Sequence, residues 1–417
     1  MIVRKKLDIG WTDIAFGLGA CLLPGDAQAA QKRVEEAWSP AGDAIACLSV
    51  RTGFDLLLSA LALRAGSEIL VSAITISDMV RIIERHGLVA VPIDLDIATL
   101  SIRAELISDH VTARTKAIVV AHLFGSRMAM EPISAVARRH GLLVIEDCAQ
   151  AFAADGYRGS AHSDVSMFSF GPIKTATALG GALLRVRDAG LRTAMRARQR
   201  DYPAQRRSAY VRKLVKCAAL KVLSYRLPYG LFAACCSLLQ TSHDAIIGQA
   251  ARSFAGTELF RAIRQRPCYA LMALLRRRLV RFDARSIAMR IAAARAAASY
   301  LPGVQRPGDQ AVFHTHWVFP IRSSSPDELL RRLWQSGFDA TRGASSLYVV
   351  PAPPGNPGTV ATEAARAMDN MVYLPVHPGL AERHLKRLGD TISGFETATS
   401  SSEEACRQFA SRFSARS

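Results

Sequence analysis

Between residues 46 and 186, short apolar runs alternate with segments in which apolar positions recur at helical spacing. Short apolar runs bounded by polar residues predict strands buried on both faces, and the segments between them predict amphipathic helices. The predicted strands are Glu68–Ala73, Val89–Ile93, Ala117–Ala121 and Leu142–Ile145. The predicted helices are Phe54–Leu63, Met79–His86 and Pro132–His140. This alternation predicts a mainly parallel central α/β sheet flanked by helices.

The pattern changes in the second half of the chain. An Ala/Arg-rich run predicts one long helix over Tyr269–Tyr300, and the segments after it alternate strand and helix. These segments are the strands His314–Ile321 and Met371–Pro375 and the helices Pro326–Ser336 and Ala381–Leu388. We therefore expect a large α/β domain over residues 1–200, a basic and apolar helical insertion over 201–265, a smaller C-terminal α+β domain over 266–397, and a polar tail over 398–417.

The charge of the chain is concentrated in one block. The 417 residues carry a formal net charge of +18. Residues 191–300 contain 22 basic and four acidic residues, so the rest of the chain is balanced. Half of the residues are apolar, which excludes a disordered chain. No helix-turn-helix or base-stacking motif accompanies the charge, and we expect no nucleic-acid partner.

The cysteines and the N-terminus bear on localisation. The eight cysteines form no C-x-x-C pair and have no metal-ligand spacing, which indicates reduced thiols, no metal site and a cytoplasmic protein. Arg4, Lys5 and Lys6 precede an apolar stretch, as in a signal peptide, but Asp8 and Asp13 interrupt it. We expect no export.

Candidate chemistry lies where two predicted strands end. Asp147 follows the run LLVIE, Lys174 follows MFSF, and the pair Gly180-Gly181 precedes the next strand. Ligands of parallel sheets bind at the carboxyl ends of the strands. A lysine and a carboxylate there suit pyridoxal 5′-phosphate (PLP), which a lysine attaches and an aspartate holds at the ring nitrogen. The alternative is a surface lysine and an aspartate that caps a helix.

These motifs resemble the central signature of the DegT/StrS-type sugar aminotransferases. The similar segments are IEDCAQAF, FSFGPIK and LGGALL, with RTGFDLLLSALAL upstream and MVYLPVHPGLAERHLKRL near the C-terminus. The resemblance implies a fold-type-I PLP-dependent transferase that forms a homodimer with its active site at the subunit boundary. It also implies transfer of an amino group from glutamate or glutamine to a keto group of a nucleotide-linked sugar or related carbonyl compound.

The resemblance assigns roles to individual residues. Lys174 would attach the cofactor and then move protons, and Asp147 would keep the ring nitrogen protonated. Gln150 would lie against the ring or its phenolic oxygen. Ser169 would hydrogen-bond the phosphate. Apart from the signature, Gln150 and Ser169 are ordinary polar residues of a sheet rim.

Two further assignments rest on position in the chain. Thr52 and Gly53 would offer backbone N–H groups to the phosphate at the start of the helix that begins at Phe54. Thr52 could instead be an N-cap and no more. His122, just after a strand, could contact substrate, or it could be a satisfied histidine at the sheet rim.

The chain departs from the family pattern at several positions. Arg51-Thr52-Gly53 stands where the family commonly has S-G-T, the aromatic residue after the second strand is missing, and Ala178-Leu179 replaces an acidic residue before the glycine pair. The segment G-Y-N-x-R, whose Asn reaches the partner subunit's phosphate, is also missing. Arg266 is our candidate replacement.

Activities besides amino transfer are compatible with the sequence. A dehydratase branch of the family has histidine in place of the lysine, so Lys174 argues against that branch. A PLP-dependent elimination on the same fold and a non-catalytic regulatory homologue both remain open.

The basic block bears on where in the cell the protein acts. The stretch Ser208–Gln240 mixes bases with large apolar residues, which predicts peripheral contact with the inner face of the membrane. Alternatively, its apolar face packs in the dimer and its bases meet a nucleotide-sugar diphosphate.

Overall fold

The structure is a computed structural model that describes residues 1–4, 7–239, 246, 258–343 and 346–395. Its strands are β1 (Ala44–Cys47), β2 (Glu68–Ser72), β3 (Ile74–Ile76), β4 (Val89–Ile93), β5 (Leu95–Asp96), β6 (Ser101–Ile102), β7 (Thr115–Ala121), β8 (Ser126–Arg127), β9 (Leu143–Asp147), β10 (Val165–Ser169), β11 (Ala182–Val186), β12 (Phe313–His314), β13 (Phe319–Arg322), β14 (Leu347–Val349) and β15 (Met371–Leu374).

The helices of the first half are α1 (Trp11–Leu22), α2 (Ala27–Trp38), α3 (Val50–Leu61), α4 (Ser77–Arg85), α5 (Ala104–His110), α6 (Met130–Arg139) and α7 (Ala189–Arg200). Those that follow are α8 (Arg207–Leu223), α9 (Arg226–Leu238), α10 (Leu259–Ile263), α11 (Tyr269–Val280), α12 (Arg285–Ser299), α13 (Pro326–Gln335) and α14 (Thr362–Asp369). Pro357–Thr359 forms a 3-10 turn, and residues 382–395 are helical.

The central sheet has seven strands in the order β1-β11-β10-β9-β7-β2-β4. Only β11 runs antiparallel to the other strands of this sheet. Alternate residues of its strands belong to different apolar clusters: Ile69 and Val71 pack on one face, and Leu70 packs on the other. The sheet is therefore buried on both faces, and the predicted mainly parallel α/β fold is confirmed.

The C-terminal part forms a second, smaller layered unit. Strands β13 and β15 pair antiparallel, and α12 and α13 contribute to the apolar cluster beside them. The N-terminus joins this unit, because the N–H of Ile2 donates to the carbonyl of Gly337 at 2.7 Å and Arg4 pairs with Asp339. The predicted polar tail, 398–417, lies outside the described residues.

Two predicted elements are interrupted in the structure. The helix expected over Tyr269–Tyr300 is two helices, α11 and α12. The carboxylate of Asp283 accepts the N–H of Arg285 at 2.9 Å, and this local bond supports a new helix start. The composition alone showed no break at this point, because the Ala/Arg-rich pattern continues through it.

The strand expected over His314–Ile321 is also two strands. Its first part, β12, pairs with β8 of the large domain, whereas β13 pairs with β15. Between them His316 has φ 49°, in the left-handed region that residues other than glycine seldom adopt. The segment therefore crosses from one unit to the other, close to Lys174.

The basic block, residues 191–300, includes most of α7 and helices α8 to α12. Helix α8 buries Tyr210, Leu214 and Cys217 against the rest of the protein, where it contacts α1 and α11. No helix among the described residues is long and apolar enough to cross a membrane.

Candidate active site

The carboxyl ends of β7, β9 and β10 lie at one edge of the central sheet, and the predicted site residues gather there. Asp147 is the last residue of β9 and lies opposite Met167 of β10. Ser169 is the last residue of β10, and Lys174 follows in the loop to β11. Each of Asp147 and Lys174 shifts the pKa of the other by its charge, so the structure brings the carboxyl and the amine into one site.

Lys174 is enclosed between its own loop and Trp317. Its Nζ lies 4.2 Å from the centre of the Trp317 ring. Burial lowers the pKa of Lys174 to about 8, the positive charge of Arg51 acts in the same direction, and Asp147 opposes both. An amine with this pKa is partly neutral near neutral pH, as a nucleophile or a base must be.

Asp147 is buried in a position where its negative charge is costly. Burial raises its pKa, and the backbone N–H of Ala149, 2.9 Å from Oδ1, opposes the rise. The nearby cationic groups Lys174 and Arg51 oppose it as well. A cationic ring N–H bound beside this carboxyl would favour its ionised form further.

His122 directly follows β7, next to Asp147 at the end of β9, and is buried. Its Nδ1 accepts the N–H of Met128 at 3.3 Å, so the proton is on Nε2, which donates to Glu146 at 2.8 Å. The backbone N–H of His122 donates to the carbonyl of Asp147 at 3.1 Å. Both ring nitrogens thus have protein partners, which favours a satisfied histidine at the sheet rim over a contact with substrate.

Glu146 is the centre of this buried network. Its Oε2 also accepts the hydroxyl of Tyr157 at 2.5 Å, and its Oε1 accepts the N–H of Ser160 at 2.6 Å. Burial alone would raise the pKa of Glu146, but hydrogen bonds, led by that of His122, lower it to about 2. Glu146 is therefore an ionised, fully bonded carboxylate.

The ligand atoms of His122, Glu146 and Cys148 lie within 4.8 Å of one another, which is close enough for a metal cluster. Burial and the charge of Glu146 raise the pKa of Cys148 well above its usual value, so its sulfur is a protonated thiol. The glutamate oxygens are also taken by hydrogen bonds. The chemistry of these donors does not favour a metal.

Gln150 and Ser169 lie at the same edge of the sheet. The side-chain oxygen of Gln150 accepts the N–H of Phe124 at 2.7 Å, which fixes the orientation of its amide. The Ser169 hydroxyl is half-buried and accepts the N–H of Gly171 at 3.4 Å. Their predicted contacts with ring and phosphate stay predictions.

The helix expected to begin at Phe54 begins at Val50, with Ser49 as its N-cap. The N–H of Thr52 donates to the Ser49 hydroxyl at 3.1 Å, and that of Gly53 donates to the Ser49 carbonyl at 3.0 Å. This corrects the predicted helix start and moves the terminus of the helix one turn earlier. The two backbone groups assigned to a phosphate already have partners inside the protein.

Thr52 and Gly53 have structural roles that explain their residue types. The Thr52 hydroxyl donates to the carbonyl of Ile263 at 2.8 Å, in a fully buried position. A Cβ on Gly53 would lie 2.5 Å from a methyl group of Leu184. The helix can therefore approach β11 only with glycine at this position.

Arg51 is the cation that this chain carries where the family motif has a small residue. Its Nε lies 2.5 Å from the carboxylate of Asp78, which holds the guanidinium group at the edge of the site. The charge of Arg51 lowers the pKa of both Lys174 and Asp147. Arg51 thus belongs to the electrostatics of the site.

A second feature is a pocket of about 280 Å³ lined by Arg295, Arg306, His314 and His316, the last of which precedes Trp317 in the chain. The two imidazole rings stack with their centres 4.1 Å apart. Burial lowers the pKa of His316 to about 4, with nearby arginines acting in the same direction, so the ring is neutral at pH 7. The arginines therefore supply the positive charge of this pocket.

Arg290 contacts both the loop that carries Lys174 and the segment that carries His314 and His316. Its Nη1 lies 3.2 Å from the hydroxyl of Thr175, the residue after Lys174, and its Nε donates to the carbonyl of Thr315 at 2.8 Å. Within the described part of the chain its Nη2 is buried without a hydrogen-bond partner. Such a group is costly unless something binds it.

Three residues of this site were absent from the sequence-based candidates: Trp317, Glu146 and Arg290. Trp317 stands in the segment HTHWVFPI, which the sequence marked only as a strand. Glu146 directly precedes Asp147, so its polar type inside a buried strand was the available signal. Arg290 gave no signal, because it lies among many arginines of similar spacing.

Arg266, the candidate replacement for a ligand from the partner subunit, lies away from this edge of the sheet. Its Nε donates to the carbonyl of Tyr202 at 2.8 Å, and it lines a groove with Gln28 and Arg196. The role of Arg266 toward a partner subunit stays a prediction.

Comparison with known proteins agrees with this arrangement. Residues 25–216 match the model of the DegT/DnrJ/EryC1/StrS aminotransferase family. A GDP-perosamine synthase from Caulobacter vibrioides is 34% identical over 155 residues, which cover 37% of this chain and 42% of that protein. A pleiotropic regulatory protein from Geobacillus stearothermophilus is 42% identical over 101 residues, 24% of this chain and 27% of that protein. The matches thus span less than half the length of these relatives.

Solved structures extend the likeness to the whole fold. An aminotransferase, TlmJ, from Streptoalloteichus hindustanus has a TM-score of 0.68 at 18% identity and covers 95% of this chain and 100% of its own. The E. coli GDP-4-keto-6-deoxy-D-mannose-3-dehydratase with bound hydrated PLP has a TM-score of 0.64 at 17% identity and covers 94% of this chain and 99% of its own. Residues 25–216, which include the signature around Asp147 and Lys174, are therefore similar to the DegT/DnrJ/EryC1/StrS aminotransferase family, and the fold of the chain is that of the solved aminotransferase structures.

Proposed function

We propose that this protein is a PLP-dependent aminotransferase that moves an amino group from glutamate or glutamine to a keto group of a nucleotide-linked sugar or a related carbonyl compound. The observation that carries the proposal is the pair of half-buried Lys174 and buried Asp147 at the carboxyl edge of the sheet. The family match over residues 25–216 and the amino-sugar relatives support the same activity.

The residues of the site fit the cofactor. Lys174 offers an amine whose pKa is lowered to about 8, which suits attachment of an aldehyde. Asp147 offers a buried carboxyl beside cationic groups, which suits a protonated ring nitrogen. Ser169 and Gln150 would complete the hold on phosphate and ring. When bound, PLP supplies an electron sink for the carbanion that forms when a substrate carbon loses its proton.

The protein's own groups would carry the proton transfers. Lys174 Nζ, once free of the cofactor, would take the proton from the donor carbon and later deliver a proton to the acceptor carbon. The Trp317 ring lies against one side of this amine. Arg51 holds the pKa of Lys174 down, which keeps the free amine ready to act as the base.

The arginine-lined pocket supports a phosphate-bearing acceptor. Arg295 and Arg306 line it, Arg290 presents a buried N–H group nearby that has no partner among the described residues, and both histidines are neutral. Guanidinium groups bind phosphate oxygens by charge-assisted hydrogen bonds. We assign this pocket to the diphosphate of a nucleotide-linked sugar. A homodimer, in which the partner subunit completes the site, is part of the proposal.

The cofactor assignment has a direct spectroscopic test. Purified protein supplied with PLP should absorb at about 400–430 nm through the bond to Lys174. Lys174→Ala should lose this band, whereas Lys32→Ala, a control at an exposed lysine of α2, should keep it. A protein that takes up no cofactor, or a band that survives in Lys174→Ala, would contradict the proposal.

A further inference from the structure

The outer face of α1, α8 and α9 carries large apolar side chains that contact water. We call this the helical apolar face and define it by Trp11, Leu22, Val215, Val222, Leu231 and Leu238. Leu22 is 84% exposed and Leu238 is 85% exposed. Apolar side chains scattered singly over a surface are ordinary, but a group of them on adjacent helices marks a binding surface.

Contacts between the helices show that α1, α8 and α9, which carry these side chains, pack next to one another. The Trp11 indole N–H lies 3.0 Å from the hydroxyl of Tyr225, so the start of α1 meets the end of α8. A Cβ on Gly17 would lie 2.8 Å from a methyl group of Leu214, which places the middle of α1 against the middle of α8. Helix α9 follows α8 directly and contacts it.

Helix α8 has two distinct faces. Its buried residues Tyr210, Leu214 and Cys217 point into the protein. Val215 and Val222, seven residues apart, lie on the opposite side with the exposed bases Arg212 and Lys216. Residues seven apart lie on the same side of a helix, so the exposed valines and bases form one mixed stripe.

This surface is cationic and lacks acidic residues that could neutralise it. Residues 202–243 contain seven bases and no acidic residue. The acidic residue of α1, Asp13, is buried and accepts hydrogen bonds from Arg277 and Arg278, both at 2.8 Å. Exposed apolar side chains and exposed bases are thus combined on helices that carry no exposed acidic residue.

We propose that the helical apolar face binds the interface of an anionic lipid bilayer. A surface that combines apolar side chains with Lys and Arg enters the headgroup region of such a bilayer, where the bases meet lipid phosphates. Trp11 and Tyr225 are residue types that membrane interfaces favour. The contact would be peripheral, since none of the described helices is suited to span a bilayer.

Charge decides between this partner and a second copy of the chain. In a twofold dimer the same patch faces itself, so the bases of one copy would meet those of the other with no acid between them. Anionic lipid removes that repulsion. Nucleic acid fits less well because its interfaces with proteins are polar, whereas Leu22, Leu231 and Leu238 are bare aliphatic groups.

Vesicle flotation of the cofactor-loaded protein tests the proposal independently of its enzymatic activity. The probes are vesicles of phosphatidylcholine alone and vesicles with equal amounts of phosphatidylcholine and phosphatidylglycerol, at low and high salt. We expect flotation with the anionic vesicles at low salt, and weaker flotation at high salt or with the neutral vesicles. Failure to float with either lipid at either salt would overturn the proposal.

Matched variants separate apolar from electrostatic contributions. Val215→Glu/Val222→Glu should weaken binding by about tenfold or more, whereas Val360→Glu, an exposed valine elsewhere, should leave it unchanged. Arg212→Gln/Lys216→Gln should weaken binding by about fivefold per base, and Lys32→Gln/Arg33→Gln, which removes the same charge from α2, should not. Each variant should keep the cofactor absorbance of the parent, which reports its fold.

The same variants identify a second copy as the occupant if the proposal is wrong. Light scattering gives the oligomeric state of each variant without lipid. If Val215→Glu/Val222→Glu converts a dimer into a monomer, the face is an interface between subunits and the membrane proposal fails. An unchanged oligomeric state together with lost flotation supports it.

Discussion

The Nζ of Lys174 lies 4.2 Å from the centre of the Trp317 ring, and the indole N–H of Trp317 donates to the carbonyl of Ile173 at 3.1 Å. Trp317 thus contacts both the amine and the residue before it in the chain. It follows the left-handed turn at His316, so its position depends on the crossing between the two units. Through Trp317, the segment that joins the two units covers the amine of Lys174 in the larger one.

Trp317 should therefore affect the reactivity of Lys174. Trp317→Ala exposes the amine to water, and we expect the pKa of Lys174 to rise toward its usual value and kcat to fall by about tenfold or more. Trp317→Phe keeps an aromatic face and loses the bond to Ile173, so its effect should be smaller. Steady-state kinetics with pH titration measures both, and equal activity in all three proteins would contradict this role.

The lowered pKa of Lys174 predicts a pH dependence. Below a pH of about 8 the amine is mainly protonated and cannot attack an aldehyde, so the rate at which apoprotein takes up PLP should rise with pH through this value. Stopped-flow absorbance of apoprotein mixed with PLP measures this rate.

Arg51 supplies the control for that pH profile. Arg51→Gln removes a positive charge that lowers the pKa of Lys174, so the midpoint should move to higher pH. Arg51→Lys keeps the charge and should restore much of the parental midpoint. Identical midpoints in all three proteins would show that Arg51 has no electrostatic effect on the amine.

The network around Glu146 predicts an effect on stability. His122→Leu leaves a buried carboxylate without its main donor, and we expect the free energy of unfolding to fall by about 3 kcal/mol. Tyr157→Phe removes one hydrogen bond of several and should cost about 1–3 kcal/mol. Urea denaturation measures both, and a smaller loss in His122→Leu than in Tyr157→Phe would contradict the central role of the pair.

The same carboxylate gives a pH dependence of stability with a definite sign. The pKa of Glu146 is lowered from its usual 4.5 to about 2 in the folded protein, so the folded state favours the ionised form. Its contribution is present above a pH of about 4.5 and is lost as the pH falls toward about 2. Urea denaturation at several pH values across this range should show that Glu146→Gln loses less unfolding free energy on acidification than the parent protein does.

The arginine-lined pocket predicts a specific kinetic effect. Arg295→Gln removes one guanidinium group from the pocket, and the KM for a phosphate-bearing acceptor should rise by about tenfold with kcat little changed. Arg33→Gln, at an exposed position of α2, is the matched control. Unchanged KM in Arg295→Gln would place the acceptor's phosphates elsewhere.

The sequence predicted the sheet because its strands are buried on both faces and their apolar runs stand out between helices. It also predicted Asp147 and Lys174, since each follows such a run and the surrounding motif is specific. The start of α3 was missed because Ser49, its cap, directly follows the apolar run of β1 and gives no break in the pattern.

Other parts of the site depend on contacts between residues distant in sequence. Trp317 meets Lys174 only because the chain between β12 and β13 crosses from one unit to the other. Glu146 gains its role from His122 and Tyr157, which come from separate loops. Arg290 is one of many arginines in its part of the chain, and only packing distinguishes it from those that face solvent.

Isotope transfer tests the central claim most directly. The protein with PLP, ¹⁵N-labelled glutamate and a nucleotide-linked keto-sugar is analysed by mass spectrometry, with Lys174→Ala as the inactive control. We predict a sugar that carries ¹⁵N and an equal amount of 2-oxoglutarate, with neither formed by the variant. A sugar that loses water without gaining nitrogen, or glutamate that stays unchanged with a range of keto-sugars, would contradict amino transfer.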